Sequence, residues 1–190
     1  MVKVQGIILA AGASSRMGEP KWGALIGGKT FLNHILSSFN SAGIDSIIVV
    51  FRNGRIPSGA FKFAINPNPE RGQLSSLKAA LEVSPPEAPF IMQLVDRPLV
   101  KPSTLKMMID AYNDTIVIPS YNGRKGHPVL FPPTMRNILL ATDDSGGIRA
   151  GITAFKGATE IVETDDEAVL WNIDSQDAIK VFEEKLKKRL

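Results

Sequence analysis

Two stretches of the chain combine residue types that could hold a nucleoside triphosphate. The first, GALIGGKT at residues 23–30, fits the phosphate-binding P-loop pattern of a glycine, four residues and Gly-Lys-Thr. The second, LAAGASSRMGEPK at residues 9–21, combines small residues with the cations Arg16 and Lys21. Amides of small residues can approach phosphates, a guanidinium can bridge two phosphate oxygens, and an ammonium acts as a point charge. Both stretches therefore suggest phosphate chemistry, and the flanking elements favour one of them.

The flanking elements favour residues 9–21. A phosphate loop directly follows a buried strand, so that its amides and the positive end of the next helix converge on the anion. The apolar run at residues 2–10 predicts such a strand, whereas GALIGGKT follows GEPKW, which is not strand-like. Its apolar residues 24–26 suit a short packed segment, and Gly27-Gly28 suits a turn into the first helix. A P-loop ATPase is therefore the less favoured hypothesis.

The alternation of strand-like and helix-like periodicity predicts the fold class. The predicted strands are VKVQGIILA (2–10), SIIVVF (46–51), FKFAI (61–65), FIMQLV (90–95), TIVIPS (115–120), PVLF (128–131), TEIVET (159–164) and AVLWN (168–172). Helical patterns cover residues 31–39 and 74–81, begin at Pro102, Pro133 and Ser175, and surround Gly147. We expect residues 1–190 to form a single α/β domain, a Rossmann-like, mostly parallel sheet with helices on both faces.

Composition limits the kinds of site that the chain can hold. It has 190 residues, 44% of them hydrophobic, with no cysteine and two histidines, so we expect no zinc cluster and a hard, oxygen-bound cation if there is a metal. The net charge of +3 is too mild for a nucleic-acid partner. Without a run of about 18 apolar residues or a signal-like apolar core, we expect no membrane association and a cytoplasmic location.

Five segments in order resemble one family. LAAGASSRMGEPK resembles the signature of nucleotidyltransferases that make NDP-linked products, specifically the MobA-like NTP transferase family with its molybdenum cofactor cytidylyltransferases. The others are NPNPERGQLSSLKAAL (66–81), which is similar to the nucleotide-binding loop and helix, LVDRPLV (94–100), which is similar to the magnesium motif, PSYNGRKGHPVLF (119–131), on the acceptor side, and NIDSQDA (172–178), the closing motif. The resemblance implies a nucleotide-diphospho-sugar transferase-like fold.

The resemblance also implies roles for individual residues. Arg16, Lys21 and Asp96 are expected to be catalytic, and Asp96 and Asp174 to hold Mg²⁺. The nucleotide-binding set is expected to be Leu9, Ala10, Ala11, Gly12, Arg16, Lys21 and Ser76, and the acceptor-binding set Gly126, His127 and Pro128.

The implied reaction is a magnesium-dependent transfer of CMP from CTP to molybdopterin with release of pyrophosphate. The choice of CTP rests on Ala11, because the guanylyltransferases resemble LAGG where this chain has LAAG. A guanylyltransferase using GTP, a transferase for another phosphorylated acceptor, and a non-catalytic cofactor chaperone remain alternatives. A molybdoenzyme or its chaperone is a further partner to consider.

Two departures from the family pattern leave the acceptor open. Arg97 stands where the magnesium motif usually has glutamine. The segment DDSGGIR, Asp143 to Arg149, has one residue more than the family's Gly-Asp-x-Gly-Ala-Arg and lacks its first glycine. In the family this segment lies on the acceptor side, so its departure leaves the identity of the acceptor open. The resemblance does not predict what Arg97 or the altered residues of this segment do.

Overall fold

A computed structural model describes residues 2–14, 17–52, 54 and 56–187. Within this part of the chain, eight strands form one sheet: β1 Gln5–Leu9, β4 Ile47–Phe51, β5 Lys62–Ile65, β6 Phe90–Leu94, β7 Ile116–Tyr121, β8 Arg124–Lys125, β9 Val129–Phe131 and β10 Thr159–Glu163. Their order in the sheet is β10-β7-β9-β6-β1-β4-β5, with β8 paired to β7. The strand β9 runs antiparallel to both neighbours, and β1, β4, β5 and β6 pair in parallel, as do β7 and β10. The expected mostly parallel α/β sheet is confirmed.

Helices cover both faces of the sheet. They are α1 Phe31–Ser41, α2 Gln73–Val83, α3 Pro102–Asp110, α4 Met135–Ala141, α5 Gly147–Ala154 and α6 Gln176–Lys187. The helices α1, α3 and α6 pack on one face, and α2, α4 and α5 pack on the other. Within β1, Ile8 points to the first face and Ile7 and Leu9 point to the second. Because both faces are covered at the centre of the sheet, the strands β1, β4 and β6 are buried along their whole length and consist mainly of apolar residues.

The P-loop-like stretch is a β-hairpin. The strands β2 Leu25–Ile26 and β3 Lys29–Thr30 pair antiparallel around Gly27 and Gly28, both of which have positive φ. Such a two-residue turn favours glycine at both positions. The Gly27 amide donates to Glu183 Oε1 on α6 (3.0 Å), and Lys29 Nζ donates to Ser37 Oγ on α1. Gly27 and Gly28 thus form the turn of a hairpin, and Lys29 holds the hairpin against α1.

The predicted strand AVLWN is wrong, because this segment begins with a 3-10 helix, Glu167–Leu170. The buried Asp166 caps it by accepting from the Ala168 amide at Oδ1 (3.2 Å). Its other oxygen, Oδ2, accepts from the Lys101 amide (2.7 Å) and Thr104 Oγ1 (3.0 Å) at the start of α3. One carboxylate therefore connects this 3-10 helix to α3. These capping hydrogen bonds favour the 3-10 helix over the strand that the local sequence predicts.

We predict that Asp166→Ala lowers the free energy of unfolding by at least about 2 kcal/mol, because it leaves buried donors without an acceptor. Urea denaturation of the variant and of the exposed neighbour variant Asp165→Ala measures this. We expect the Asp165 change to stay within about 0.5 kcal/mol. Equal stability of the two variants would contradict the capping role.

Candidate active site

A cavity of about 300 Å³ opens at the carboxyl ends of β1 and β6 and the amino end of α2. These strands pair in parallel with Leu9 opposite Leu94, so the chain leaving β1 lies beside the chain leaving β6. The lining residues are Leu9, Ala10, Ala11, Gly12, Ala13, Ser14, Lys21, Pro69, Gly72, Gln73, Ser76, Leu94, Val95, Asp96 and Asp174. We call this the donor cavity. It brings together the expected nucleotide and metal residues, except Arg16, which lies outside the described residues.

The loop after β1 presents backbone to the donor cavity because its first side chains are buried. The Ala10 amide donates to Val50 O (2.9 Å), and Ala10 and Ala11 are both buried. Ser14, with φ of 53°, accepts from the Lys21 amide at Oγ (3.0 Å) and from the Met17 amide at its carbonyl (2.9 Å). These bonds close the loop and bring Lys21 back to the cavity.

The Ala11 side chain faces the core. It is 1% exposed and belongs to the apolar cluster that packs beneath α2, together with Leu74 and Leu77. The expectation that its methyl group narrows the slot for the base therefore gains no support from the structure. Ala11 is one of the residues that line the cavity, but it is almost fully buried and packs within this apolar cluster.

Asp96 meets Lys21 at the centre of the donor cavity. Lys21 Nζ donates to Asp96 Oδ2 at 3.1 Å, and both side chains are partly buried. Asp96 Oδ1 is buried and has no hydrogen-bond partner within the described residues. The Ile173 amide donates to Asp96 O (2.8 Å), which brings the next residue, Asp174, to the same cavity wall. A carboxylate oxygen without a partner, beside a second carboxylate, fits a hard divalent cation that also binds phosphates.

The amino end of α2 forms the opposite wall. Its N-cap is Gly72, with φ of 100°, which offers no side-chain acceptor for the first helical amides. A helix amino end whose first amides have no side-chain acceptor favours the binding of an anion. Asn66 Nδ2 donates to Ser75 Oγ (2.8 Å) and Ser76 Oγ (2.9 Å), which fixes the two serines on the first turn. The sequence predicted Ser76 as a nucleotide-binding residue. It did not predict that Asn66 fixes the two serines or that Gln73 lines the cavity, although both lie in the segment 66–81.

A second, larger cavity adjoins the first. Its volume is about 670 Å³, and Gln73, the first residue of α2, lines both. The lining residues are Gln73, Met92, Arg97, Ile118, Arg124, Lys125, Gly126, His127, Val129, Gly146, Gly147, Ile148, Arg149, Ile152 and Leu170. We call this the acceptor cavity, because it unites two segments expected on the acceptor side, 124–127 and 146–149. Pro128 is buried and is not one of the lining residues.

Gly126 is required by packing. A Cβ placed there would lie 2.6 Å from Val169 O and 2.7 Å from Val169 Cβ. The Gly126 amide donates to Pro119 O (2.7 Å), and the His127 amide donates to Val169 O (2.9 Å). The 3-10 helix Glu167–Leu170 thus sets the position of the loop that carries His127.

The acceptor cavity is cationic. Arg97, Arg124, Lys125 and Arg149 line it, and no aspartate or glutamate is among its described lining residues. Arg97 Nη1 donates to Val169 O (3.2 Å), while Arg97 Nε is buried with no partner in the described part of the chain. Asp96 lines the donor cavity and Arg97 the acceptor cavity. The negative Asp96 and the positive Arg97 are thus consecutive residues that line different cavities.

His127 is not one of these cations. Burial lowers the pKa of His127 to about 4, and the positive charge of Arg97 acts in the same direction. The ring is therefore neutral near pH 7, and the charged side chains of the segment 124–127 are Arg124 and Lys125.

Within the described residues, no cluster of three or more histidine, cysteine or acidic side chains has the geometry of a metal site. No helix in the same part of the chain is long and apolar enough to cross a bilayer.

Comparison with known proteins identifies the family. The model of the MobA-like NTP transferase domain matches residues 6–159. The chain belongs to the MobA-like NTP transferase family. A molybdenum cofactor guanylyltransferase of Sinorhizobium fredii is 30% identical over an alignment of 161 residues that covers 77% of this chain and 72% of that protein.

Solved structures share the fold. The crystal structure of Rv0371c from Mycobacterium tuberculosis superposes with a TM-score of 0.84 at 26% identity, over 96% of this chain and 98% of that one. A structure of Rv0371C in complex with manganese has a TM-score of 0.79 at 23% identity, over 96% and 99%. The family match confirms the resemblance seen in the sequence, and the chain is a nucleotidyltransferase.

We predict that Asp96→Asn lowers turnover by at least about 10²-fold while the fold is retained, because it removes one preorganised electrostatic contact. Asp174→Asn should act in the same direction. The measurement is pyrophosphate release at limiting magnesium, with circular dichroism to verify folding. Near-normal turnover in both variants would refute the metal assignment.

We also predict a pH dependence of stability from His127. The pKa of His127 is lowered from 6.5 in the unfolded chain to about 4 in the folded protein. As the pH falls from 6.5 towards 4, the unfolded chain therefore binds a proton that the folded protein does not. The contribution of His127 to the free energy of unfolding is complete above pH 6.5 and is lost over this range. The loss should approach about 3 kcal/mol, at 1.36 kcal/mol per pKa unit. The measurement is the unfolding free energy of wild type minus that of His127→Gln between pH 7 and pH 4. A difference that stays constant over this range would show that His127 titrates normally.

Proposed function

We propose that this nucleotidyltransferase transfers a nucleoside monophosphate from a triphosphate in the donor cavity to a molybdopterin-type acceptor in the acceptor cavity. The observation that carries the proposal is the junction of the two cavities at Gln73 and at the consecutive residues Asp96 and Arg97. A site that joins two substrates needs adjoining pockets with the reacting atoms between them.

In the proposed reaction, an acceptor phosphate oxygen attacks the α-phosphorus of the donor. A new phosphorus–oxygen bond forms, the bond from the α-phosphorus to the bridging oxygen breaks, and pyrophosphate leaves. Because the attacking phosphate is already ionised near neutral pH, no protein base is required. The protein's task is to align the reactants and to neutralise charge.

The donor cavity has groups for both tasks. Lys21 faces the donor phosphates, and the uncapped amides at the start of α2 add positive potential. Asp96 and Asp174 would hold a divalent cation, and we propose magnesium. When bound, such a cation supplies charge neutralisation at the α-phosphate and the leaving group. Arg16 is proposed to face the leaving pyrophosphate.

We propose GTP as the donor. The relative that is 30% identical over 77% of this chain is named a guanylyltransferase. The argument for CTP depended on the Ala11 methyl group, which packs in the core beneath α2. The sequence LAAG still favours CTP as the second candidate, because the guanylyltransferases resemble LAGG at this position.

We therefore predict that kcat/KM for GTP exceeds that for CTP by at least about tenfold, the effect of a 1.4 kcal/mol difference in transition-state binding. The assay offers the protein magnesium, molybdopterin and each of the four triphosphates in turn, and measures pyrophosphate. Ala11→Gly should leave the GTP to CTP ratio almost unchanged, because the deleted methyl group faces the core. A wild-type preference for CTP that this variant relaxes would instead establish the cytidylyltransferase alternative.

The same assay separates the remaining hypotheses. A P-loop ATPase would lose nucleotide binding on Lys29→Ala, a change that we expect to be silent because Lys29 contacts α1 in the hairpin. A cofactor chaperone would bind nucleotide and acceptor without releasing pyrophosphate.

A further inference from the structure

The carboxylate of Asp144 connects the walls of the two cavities. Its Oδ2 lies 2.9 Å from Arg71 Nη2, and its Oδ1 lies 2.9 Å from Lys78 Nζ. Lys78 directs its hydrogen bond to Thr142 O (2.7 Å), so its contact with Asp144 is an ion pair beside that bond. The 3-10 helix Pro69–Arg71 and the adjoining helix α2 therefore meet a segment that is distant in sequence at one side chain.

Each segment continues into a wall of the site. Arg71 ends the 3-10 helix Pro69–Arg71 and precedes Gly72, which lines the donor cavity. Lys78 lies further along α2, whose first residue, Gln73, separates the cavities. Asp144 begins the 3-10 helix Asp144–Gly146, which leads directly into the acceptor-cavity residues 146–149. Asp144 itself lines neither cavity.

Burial makes this contact stronger than a surface ion pair. The Asp144 side chain is 9% exposed and that of Lys78 is 22% exposed, so solvent screens their attraction weakly. Arg71 is 60% exposed, and its contribution is correspondingly screened. Removing the carboxylate would take the ion-pair partner from the partly buried Lys78 ammonium, which would keep its hydrogen bond to Thr142 O and the weaker attraction of the exposed Asp143. We expect the acceptor segment to lose its fixed position relative to α2.

We propose that Asp144 is a positioning residue that couples the donor cavity to the acceptor cavity, so that binding of the donor orders the segment 142–154. The inference rests on the proposed function for the identity of the two substrates. Attack on the α-phosphorus requires both walls at a fixed separation, because misplacement of a reacting atom by about 1 Å can lower turnover about a hundredfold.

Hydrogen–deuterium exchange tests the coupling without turnover. Wild type, Asp144→Asn and Asp144→Glu are each exchanged with and without GTP plus magnesium, and with CTP in parallel. In wild type, the triphosphate should slow exchange both at residues 66–78 and at residues 142–154. In Asp144→Asn, protection should persist at 66–78 and be lost at 142–154. Asp144→Glu, which keeps the charge, should restore part of it.

Steady-state kinetics provide the second measurement. Asp144→Asn should lower kcat about tenfold or more and raise KM for the acceptor, with a much smaller change in KM for the donor. The matched control is Glu183→Gln, which also removes a carboxylate that joins two elements but lies at the hairpin, away from both cavities. All assays are run well below the melting temperature of each variant. If Asp144→Asn is unstable, Lys78→Met tests the same ion pair from the other side.

Two results would overturn the inference. One is wild-type protection at 66–78 with none at 142–154, which would show that the walls are independent. The other is an Asp144→Asn variant that melts at a lower temperature but keeps both KM values and kcat, which would show a purely structural ion pair. Failure of the proposed function would look different, because the exchange pattern would be intact while no acceptor elicited pyrophosphate.

Discussion

The parallel pairing of β1 with β6 is the constraint on which the donor cavity depends. The chain leaving β1 continues through α1 to β4 on one side, and β6 is reached through α2, which packs on the opposite face. The strand order therefore diverges between β1 and β6, and such a divergence opens a crevice at the carboxyl ends of the strands. The Val95 amide donates to Leu9 O (3.1 Å), which extends the pairing to the edge of the crevice. Gly12 and Asp96 approach each other because these two strands end together.

The adjacent residues Asp96 and Arg97 place opposite charges in the two cavities. Asp96 pairs with Lys21 in the donor cavity, and Arg97 is anchored to Val169 O in the acceptor cavity. The pKa of the Arg97 guanidinium is lowered by burial, and the adjacent Asp96 charge opposes that shift. Arginine remains protonated under any physiological condition. A fixed cation therefore stands immediately beside the carboxylate that would hold a metal ion, whereas a glutamine would leave that position neutral.

The sequence predicted most of the strands and the donor cavity because their signals are local. Buried parallel strands are continuous apolar runs, and the small residues 10–14 follow the first of them directly. The segment 168–172 was wrongly predicted as a strand, because its buried apolar residues Ala168 and Val169 lie in a 3-10 helix whose start depends on the contact of Asp166 with α3. The ion pair between Lys78 and Asp144 joins residues 66 positions apart, and no spacing rule indicates it. Gly126 and Pro128 matched the family pattern. In the structure Gly126 packs against Val169, and Pro128 is buried outside the cavity lining.

The acceptor cavity is lined by three arginines and one lysine, together with His127. His127 stays neutral near pH 7 because burial lowers its pKa and the positive charge of Arg97 acts in the same direction. In the proposed reaction, positive charge supplied by a protonated histidine would weaken acceptor binding as the pH rises through 6 to 7, and this cavity does not depend on such a charge. The acceptor's own phosphate, with a second pKa near 6, then becomes the group whose ionisation changes. Its dianion is both the better nucleophile and the form attracted most strongly by four cations. Binding and reactivity therefore increase together as that phosphate loses its second proton.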